Sequence, residues 1–366
     1  MAKARKLERI TIPEASRVVK DWFSTRESAD AAIPAIKAHI AATGETHTCF
    51  CHTHTSPPAD AVPVYIGAFD LPDRFVKAKR FAPCPCCWDE TPKFGQGKIA
   101  WFPDERVIRL IGPDCFKRLN PEAHERAQSV FEIEQERKRN TDFLLKNLPQ
   151  LAKVVSVIER AITVADALAT FHTELHGKLS AVQLNLWQHV RRGGELFINV
   201  QEKEFRRGDD GEMYSRDIEV QRTYAQLTGY EMLEPVLEPL AASLRTTLSR
   251  IEPYNLGNGA QAAVDSMNDE QRRAVAEALS RSVRKAKEKI ARINTLRKFT
   301  ERVEINTLRN WATQDGCPIS LYCSHDGQIV AFGKRQHNTI NVQLPAGIHN
   351  QIGEIDFWVE REKRQG

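Results

Sequence analysis

Cys84-Pro85-Cys86-Cys87 opens the stretch whose reading decides the fold. Two cysteines separated by two residues, with proline after the first, make a tight knuckle that aims both thiolates at one tetrahedral ion. Residues 98–102 and 106–111, on either side of Pro103-Asp104-Glu105, are predicted to form a β-hairpin directly after it. Gly112-Pro113-Asp114-Cys115 then leads into a predicted short helix over 116–119. The N-terminus of a helix favours a thiolate because its free N–H groups carry partial positive charge. The competing reading is a set of cysteines that merely pack.

Knuckle, hairpin and a cysteine at a helix start follow one another in the order of a treble-clef zinc finger, which residues 84–119 resemble over about a tenth of the chain. The resemblance implies a structural zinc held by Cys84 and Cys87 from the knuckle and Cys115 from the helix start. The family's usual second helix ligand, about three residues on, falls here on Arg118, so a fourth ligand is expected from elsewhere. His47-Thr48-Cys49-Phe50-Cys51-His52-Thr53-His54 offers five metal-binding side chains in eight residues. Read as a strand, this segment puts Cys49 and Cys51 on one face and His52 and His54 on the other. Cys51 is the expected fourth ligand, since four thiolates are a common closed structural set, with Cys49 or His52 next. A second ion on the remaining Cys and His residues, and a loop of surface polar residues, are the alternatives.

Working outward, a length of 366 residues suggests two or three domains. A content of 41% hydrophobic and 27% charged residues is that of a soluble globular protein rather than a disordered or fibrous one. No apolar run is long enough to span a membrane, and the basic start has no apolar stretch behind it. The expected location is therefore cytoplasmic, where eight cysteines stay reduced and serve as metal ligands or buried thiols.

The expected fold class is α+β and mostly helical, in six segments. Residues 1–45 form an N-terminal helical segment, with a strand over 9–12, a helix from Pro13-Glu14 and another ending at Gly44. Residues 46–120 form the zinc-binding module. Residues 121–192 are helical: one long polar helix to about 146, then two or three shorter ones over 150–161, 163–176 and 180–191. Alternating Leu196, Ile198 and Val200, then Ile218, Val220 and Tyr224 about the Gly208-Asp209-Asp210-Gly211 turn, mark an inserted β-hairpin over 193–232. Residues 233–313 read as a long antiparallel helical hairpin. Its second helix, over 269–311, carries Val275, Leu279, Val283, Ile290, Ile293, Leu296, Phe299 and Val303 on one side. Residues 314–366 read as a small β cap with strands over 319–323, 328–333, 339–344 and 354–359.

Net charge is only +4. It is uneven, with nine Lys or Arg against two Glu from Arg281 to Arg302. Such a helix face can neutralise phosphates, and Arg284, Lys285, Lys287, Arg292 and Lys298 are the expected nucleic-acid contacts. A solvated charged face is the competing reading. His172 and His176 lie one helical turn apart, but Glu174 is at the wrong offset for a metalloprotease helix. Glu136-Arg137-Lys138 sits on a charged helix where a nuclease metal site needs a strand, and the spacing of Cys317, Cys323, His325 and His337 matches no common zinc pattern. Common catalytic motifs are absent. The leading expectation is a zinc-stabilised, non-catalytic binding protein contacting DNA, RNA or a nucleoprotein. A protein–protein or homo-oligomeric scaffold with purely structural zinc is the alternative, and an enzyme with a dispersed site comes third.

Overall fold

The computed structural model describes residues 9–19, 22–87, 90–207 and 212–361. They fall into two units, residues 1–138 and 139–366. The fold is α+β and about half helical, with long helices and three small antiparallel sheets.

In the first unit, helix α1 (Arg26–Thr43) starts at a reciprocal cap. The Thr25 hydroxyl accepts from the Ser28 N–H while the Ser28 hydroxyl faces the Thr25 N–H. Strand β1 (Val64–Asp70), a short helix α2 (Asp73–Lys77), and strands β2 (Gln96–Phe102) and β3 (Val107–Ile111) follow, before α3 (Pro121–Asn147) begins. The sheet order is β1-β2-β3, with Tyr65 opposite Ala100 and Ala100 opposite Arg109. Both faces are covered, and successive residues of β2 therefore enter different cores. Ile99 and Trp101 join Ile108, Leu110 and the α1 residues Ala29, Ile36 and Ile40. Ala100 and Phe102 join Tyr65, Val107, Ile111 and the α3 residues Ala123, Ala127 and Phe131.

Four local expectations fail in this unit. Residues 9–12 form no strand, and Pro13 opens only a 3-10 turn, Glu14–Ser16. The 47–54 segment is a run of turns, because its N–H groups bond backward along the chain: Cys49 to the Thr46 carbonyl at 3.3 Å and His52 to the Cys49 carbonyl at 3.0 Å. The short helix after Cys115 is a single 3-10 turn, Phe116–Arg118, since Asn120 already caps the next helix by accepting from the Ala123 N–H at 3.0 Å.

In the second unit, α4 (Leu151–Val190) replaces the two or three expected helices, with non-helical angles only at Leu179. Its buried Val154, Ile158, Ala161, Ala165, Leu168, Phe171, Leu175 and Leu179 repeat at three- and four-residue steps without interruption, so one face stays in the core throughout. Strands β4 (Glu195–Arg207) and β5 (Met213–Gln226) pair as a two-stranded ribbon; its turn at 208–211 lies outside the described residues. The ribbon's base is pinned where Gly316, at φ 81°, accepts from the Asn199 N–H at 2.8 Å. A Cβ at Gly316 would lie 1.9 Å from the Asn199 carbonyl oxygen.

Helix α5 (Leu240–Ile251) has only 12 residues, so the expected long helical hairpin becomes a packing of α4, α5 and α7 (Asp269–Lys298), with α6 (Ala260–Ser266) in the connection. Residues 299–301 break the predicted long second helix, and α8 (Arg302–Ala312) follows. The C-terminal sheet is β6 (Tyr322–His325), β7 (Ile329–Arg335) and β8 (Asn338–Gln343). The fourth expected strand does not form. The buried Asn147 side chain takes up the backbone there, donating to the Val359 carbonyl and accepting from its N–H, each at 3.0 Å. No helix among the described residues is long and apolar enough to cross a membrane.

Candidate metal centre

The sulfurs of Cys84, Cys87 and Cys115 lie within 4.8 Å of one another. Local structure explains the convergence. The Cys87 N–H turns back on the Cys84 carbonyl at 3.4 Å, closing the knuckle. Antiparallel β2 and β3 return the chain to Gly112, whose N–H reaches the Cys84 sulfur at 3.5 Å. Gly112 also passes close to the third thiol, since a Cβ there would lie 2.5 Å from the Cys115 sulfur. Cys87 and Cys115 stand 3.5 Å apart, far beyond a disulfide bond and near the spacing of two sulfurs around one tetrahedral zinc. Among the described residues this is the group that can hold a metal ion.

Burial and mutual contact act together on these thiols. The hydrogen bond to Cys84 and burial both raise the Cys115 thiol. At Cys84 the contact with Cys115 favours the thiolate, but contacts with Cys86 and Cys87 together with burial outweigh it and push the thiol up. A divalent ion would reverse this balance by replacing the shared protons.

The expected fourth ligand is elsewhere. Cys51, like Cys49, is buried in the core on the α1 face of the sheet, whereas Cys84 belongs to the core on the α3 face. The sheet stands between them, because turns rather than a strand carry 47–54 and place Cys49 and Cys51 together under α1. Burial pushes the Cys51 thiol up to about 11. His52 is no ligand to the group either. The Leu110 N–H donates to its Nδ1 at 3.1 Å, which leaves the proton on Nε2 to donate to His54 Nδ1 at 2.8 Å. Burial, and then the neighbouring His54, hold the His52 pKa well below its ordinary value. These two buried imidazoles cover the open edge of β3, where the Thr53 N–H bonds the Ile108 carbonyl at 2.9 Å. Alongside them Arg109 is wholly buried, with a two-pronged ion pair to Glu105 at 2.7 and 2.8 Å, a bond to the Thr55 carbonyl at 2.8 Å, and the Phe102 ring beneath it.

Two features of the centre escape sequence reasoning. The Cys86 thiol meets Cys84. On the same face, Tyr65 and His124 are buried with 2.6 Å between the phenol oxygen and Nδ1. Burial raises Tyr65 and lowers His124, so the neutral phenol donates to the neutral ring. Their separation of 59 positions leaves no motif.

In the second unit the predicted basic helix is α7. Lys287 is paired with Glu360 at 2.8 Å, Arg292 with Glu231 at 2.5 Å, and Lys289 with Glu238. Arg284, Lys285 and Lys298 are exposed and have no carboxylate partner among the described residues. His172 bonds the Glu234 carbonyl at 2.7 Å, with the His176 ring 6.2 Å away. The Cys323 thiol donates to the Ile305 carbonyl, and His325 lies against the Thr300 carbonyl. Comparison of the chain with protein-family models, curated proteins and solved structures finds no match.

Proposed function

We propose that this is a zinc-stabilised, non-catalytic protein that binds nucleic acid. The observation that carries the zinc half is the convergence of three reduced thiols on a knuckle and the turn after a hairpin. Cys84, Cys87 and Cys115 hold the ion in a module of treble-clef type whose helix has shrunk to one 3-10 turn. The fourth position falls to a group on the same face of the sheet, where Cys86 meets Cys84. The zinc is structural: its binding energy orders the turns at 84–87 and 112–119 rather than activating a water.

The nucleic-acid half rests on the cations of α7 that no acid neutralises, Arg284, Lys285 and Lys298. Charge of this kind reads phosphates, so binding is salt-dependent and only weakly sequence-specific. Metal analysis of unchelated protein tests the first half, with about one zinc per chain expected and none refuting it. Retention on immobilised DNA or RNA against rising salt tests the second, and indifference to both at low salt refutes it. The scaffold alternative has its own support in the β4–β5 ribbon. Its outer residues Phe205, Met213 and Tyr214 are exposed on strands with solvent on both faces. A concentration-dependent rise in mass, without nucleic acid, favours that reading.

A further inference from the structure

Between the end of α5 and the middle of α7 lies an open cleft of about 460 Å³ lined by Arg250, Pro253, Tyr254, Ala278, Arg281, Ser282 and Lys285. That volume is in the range of small-molecule sites, about 300–1,000 Å³. Three of its seven lining residues are cations and none is an acid. Elsewhere on α7, Lys287, Lys289 and Arg292 each meet a glutamate. Arg250 and Lys285 have no ion-pair partner among the described residues, and Arg281 spends one N–H on the Glu277 carbonyl of its own helix. Arg281 and Lys285 are one turn apart and so project from the same side of α7. Ser282 and, one turn before Arg281, Ala278 line the same side, and their small side chains leave room at the floor. Tyr254 closes the opposite wall with a half-buried ring held by the core of the unit. Concentrated positive charge beside a fixed aromatic face, over a small-residue floor, fits a planar base attached to phosphate: the cations take the phosphate and the ring takes the base.

We propose that this cleft binds a nucleoside phosphate, with Arg250, Arg281 and Lys285 on the phosphate and Tyr254 stacked on the base. The inference rests on the nucleic-acid reading for the source of that ligand, one nucleotide of a single strand, and adds Arg250, Tyr254 and Arg281 to its contacts. A free nucleotide offers the same chemistry. The two sources separate in the test.

Binding of a dye-labelled oligothymidylate strand to the full chain is followed by fluorescence anisotropy at low salt, and binding of ATP by calorimetry. The double reversal Arg281→Glu with Lys285→Glu, both on exposed side chains, should weaken the strand at least about tenfold. Tyr254→Ala should weaken it about 5- to 100-fold, while Tyr254→Phe, which keeps the ring and its packing, should bind like the parent. Reversing Arg284 and Lys298, phosphate contacts outside the cleft, should weaken the strand less than the cleft reversal does and leave ATP binding within about threefold of the parent. If ATP binds, is lost in the Arg281→Glu, Lys285→Glu chain, and the strand does not bind at all, the cleft stands and the nucleic-acid reading falls. If reversal of Arg284 and Lys298 weakens the strand as much as reversal of Arg281 and Lys285, the cleft proposal is overturned while the nucleic-acid reading survives. Binding of neither ligand overturns the cleft as well.

Discussion

Gly112→Ala should damage zinc binding more than any other single-methyl addition near the centre. The new Cβ would stand 2.5 Å from the Cys115 sulfur and 3.5 Å from the Phe94 ring. Ordinary contact is at about 3.5 Å or more, so the sulfur must retreat by about 1 Å. Zinc tolerates ligand distances within about 0.2 Å, so a shift of that size moves Cys115 out of the coordination sphere unless the backbone deforms instead. Forcing one methyl into a filled site costs about 1–3 kcal/mol, which is about a 5- to 150-fold loss of zinc affinity. The Gly112 N–H is itself a partner of the Cys84 sulfur at 3.5 Å, so backbone deformation loosens a second ligand rather than relieving the first. Competition with a chromophoric chelator, on the full chain at neutral pH, measures the loss. Gly95→Ala is the control, because its Cβ meets only ordinary contacts, Val76 at 3.5 Å and Phe81 at 4.0 Å. If Gly112→Ala holds zinc as tightly as Gly95→Ala, Cys115 is not a ligand in this geometry.

Other expected outcomes follow from the same distances. Cys51→Ala should leave zinc content unchanged and cost stability only through its lost packing under α1, whereas Cys87→Ser should release the metal; zinc loss in Cys51→Ala would overturn the division of the two cores. Arg109→Leu strands Glu105 and should lower the stability of the first unit by about 3 kcal/mol, read as a shifted denaturation midpoint, with part recovered in the Arg109→Leu, Glu105→Leu chain. The depressed His52 means that the folded unit binds fewer protons than the unfolded chain, so its stability is complete above about pH 6.5 and falls as the solution is acidified below that value. The fall should shrink in His52→Asn, whose side-chain oxygen can still accept from the Leu110 N–H, and a midpoint unchanged between neutral and mildly acid solution would refute the assignment. Lys287→Glu sets a like charge beside Glu360 and should cost under about 1 kcal/mol, as expected for an exposed pair.

The elements that were legible in the sequence are those whose signal is local. The Asn120-Pro121 start of α3, the Gly44 end of α1 and the alternation of β4 with β5 each lie within a few residues of the feature they report. So does the grouping of Cys84, Cys87 and Cys115, because a knuckle and a short hairpin are contiguous chain. What was not legible depends on partners far along the sequence. Residues 354–359 alternate well enough for a strand, yet Asn147 takes the hydrogen bonds of Val359 across 212 positions. The helix break expected before residue 163 is overridden by an unbroken buried face, whereas the one expected before residue 180 coincides with the kink at Leu179. The basic run on α7 was counted correctly, but its neutralisation by Glu231, Glu238 and Glu360 is a tertiary fact.

The misplaced fourth ligand has a more specific cause. A metal-binding side chain is useful only on the correct face of a sheet, and which face a loop covers is decided by the sheet's other strands. β1 carries no distinctive pattern, so the sequence suggested a two-stranded hairpin. A hairpin alone has no second core to hide cysteines in, and every nearby thiol then looks like a ligand. With β1 added, β2 is central and both faces fill, which is why Ile99-Ala100-Trp101-Phe102 reads as continuous apolar chain rather than alternation. That unbroken run was the available sign that a second face had to be covered. Cys49 and Cys51 help cover it, and a thiol committed to one core cannot ligate an ion in the other.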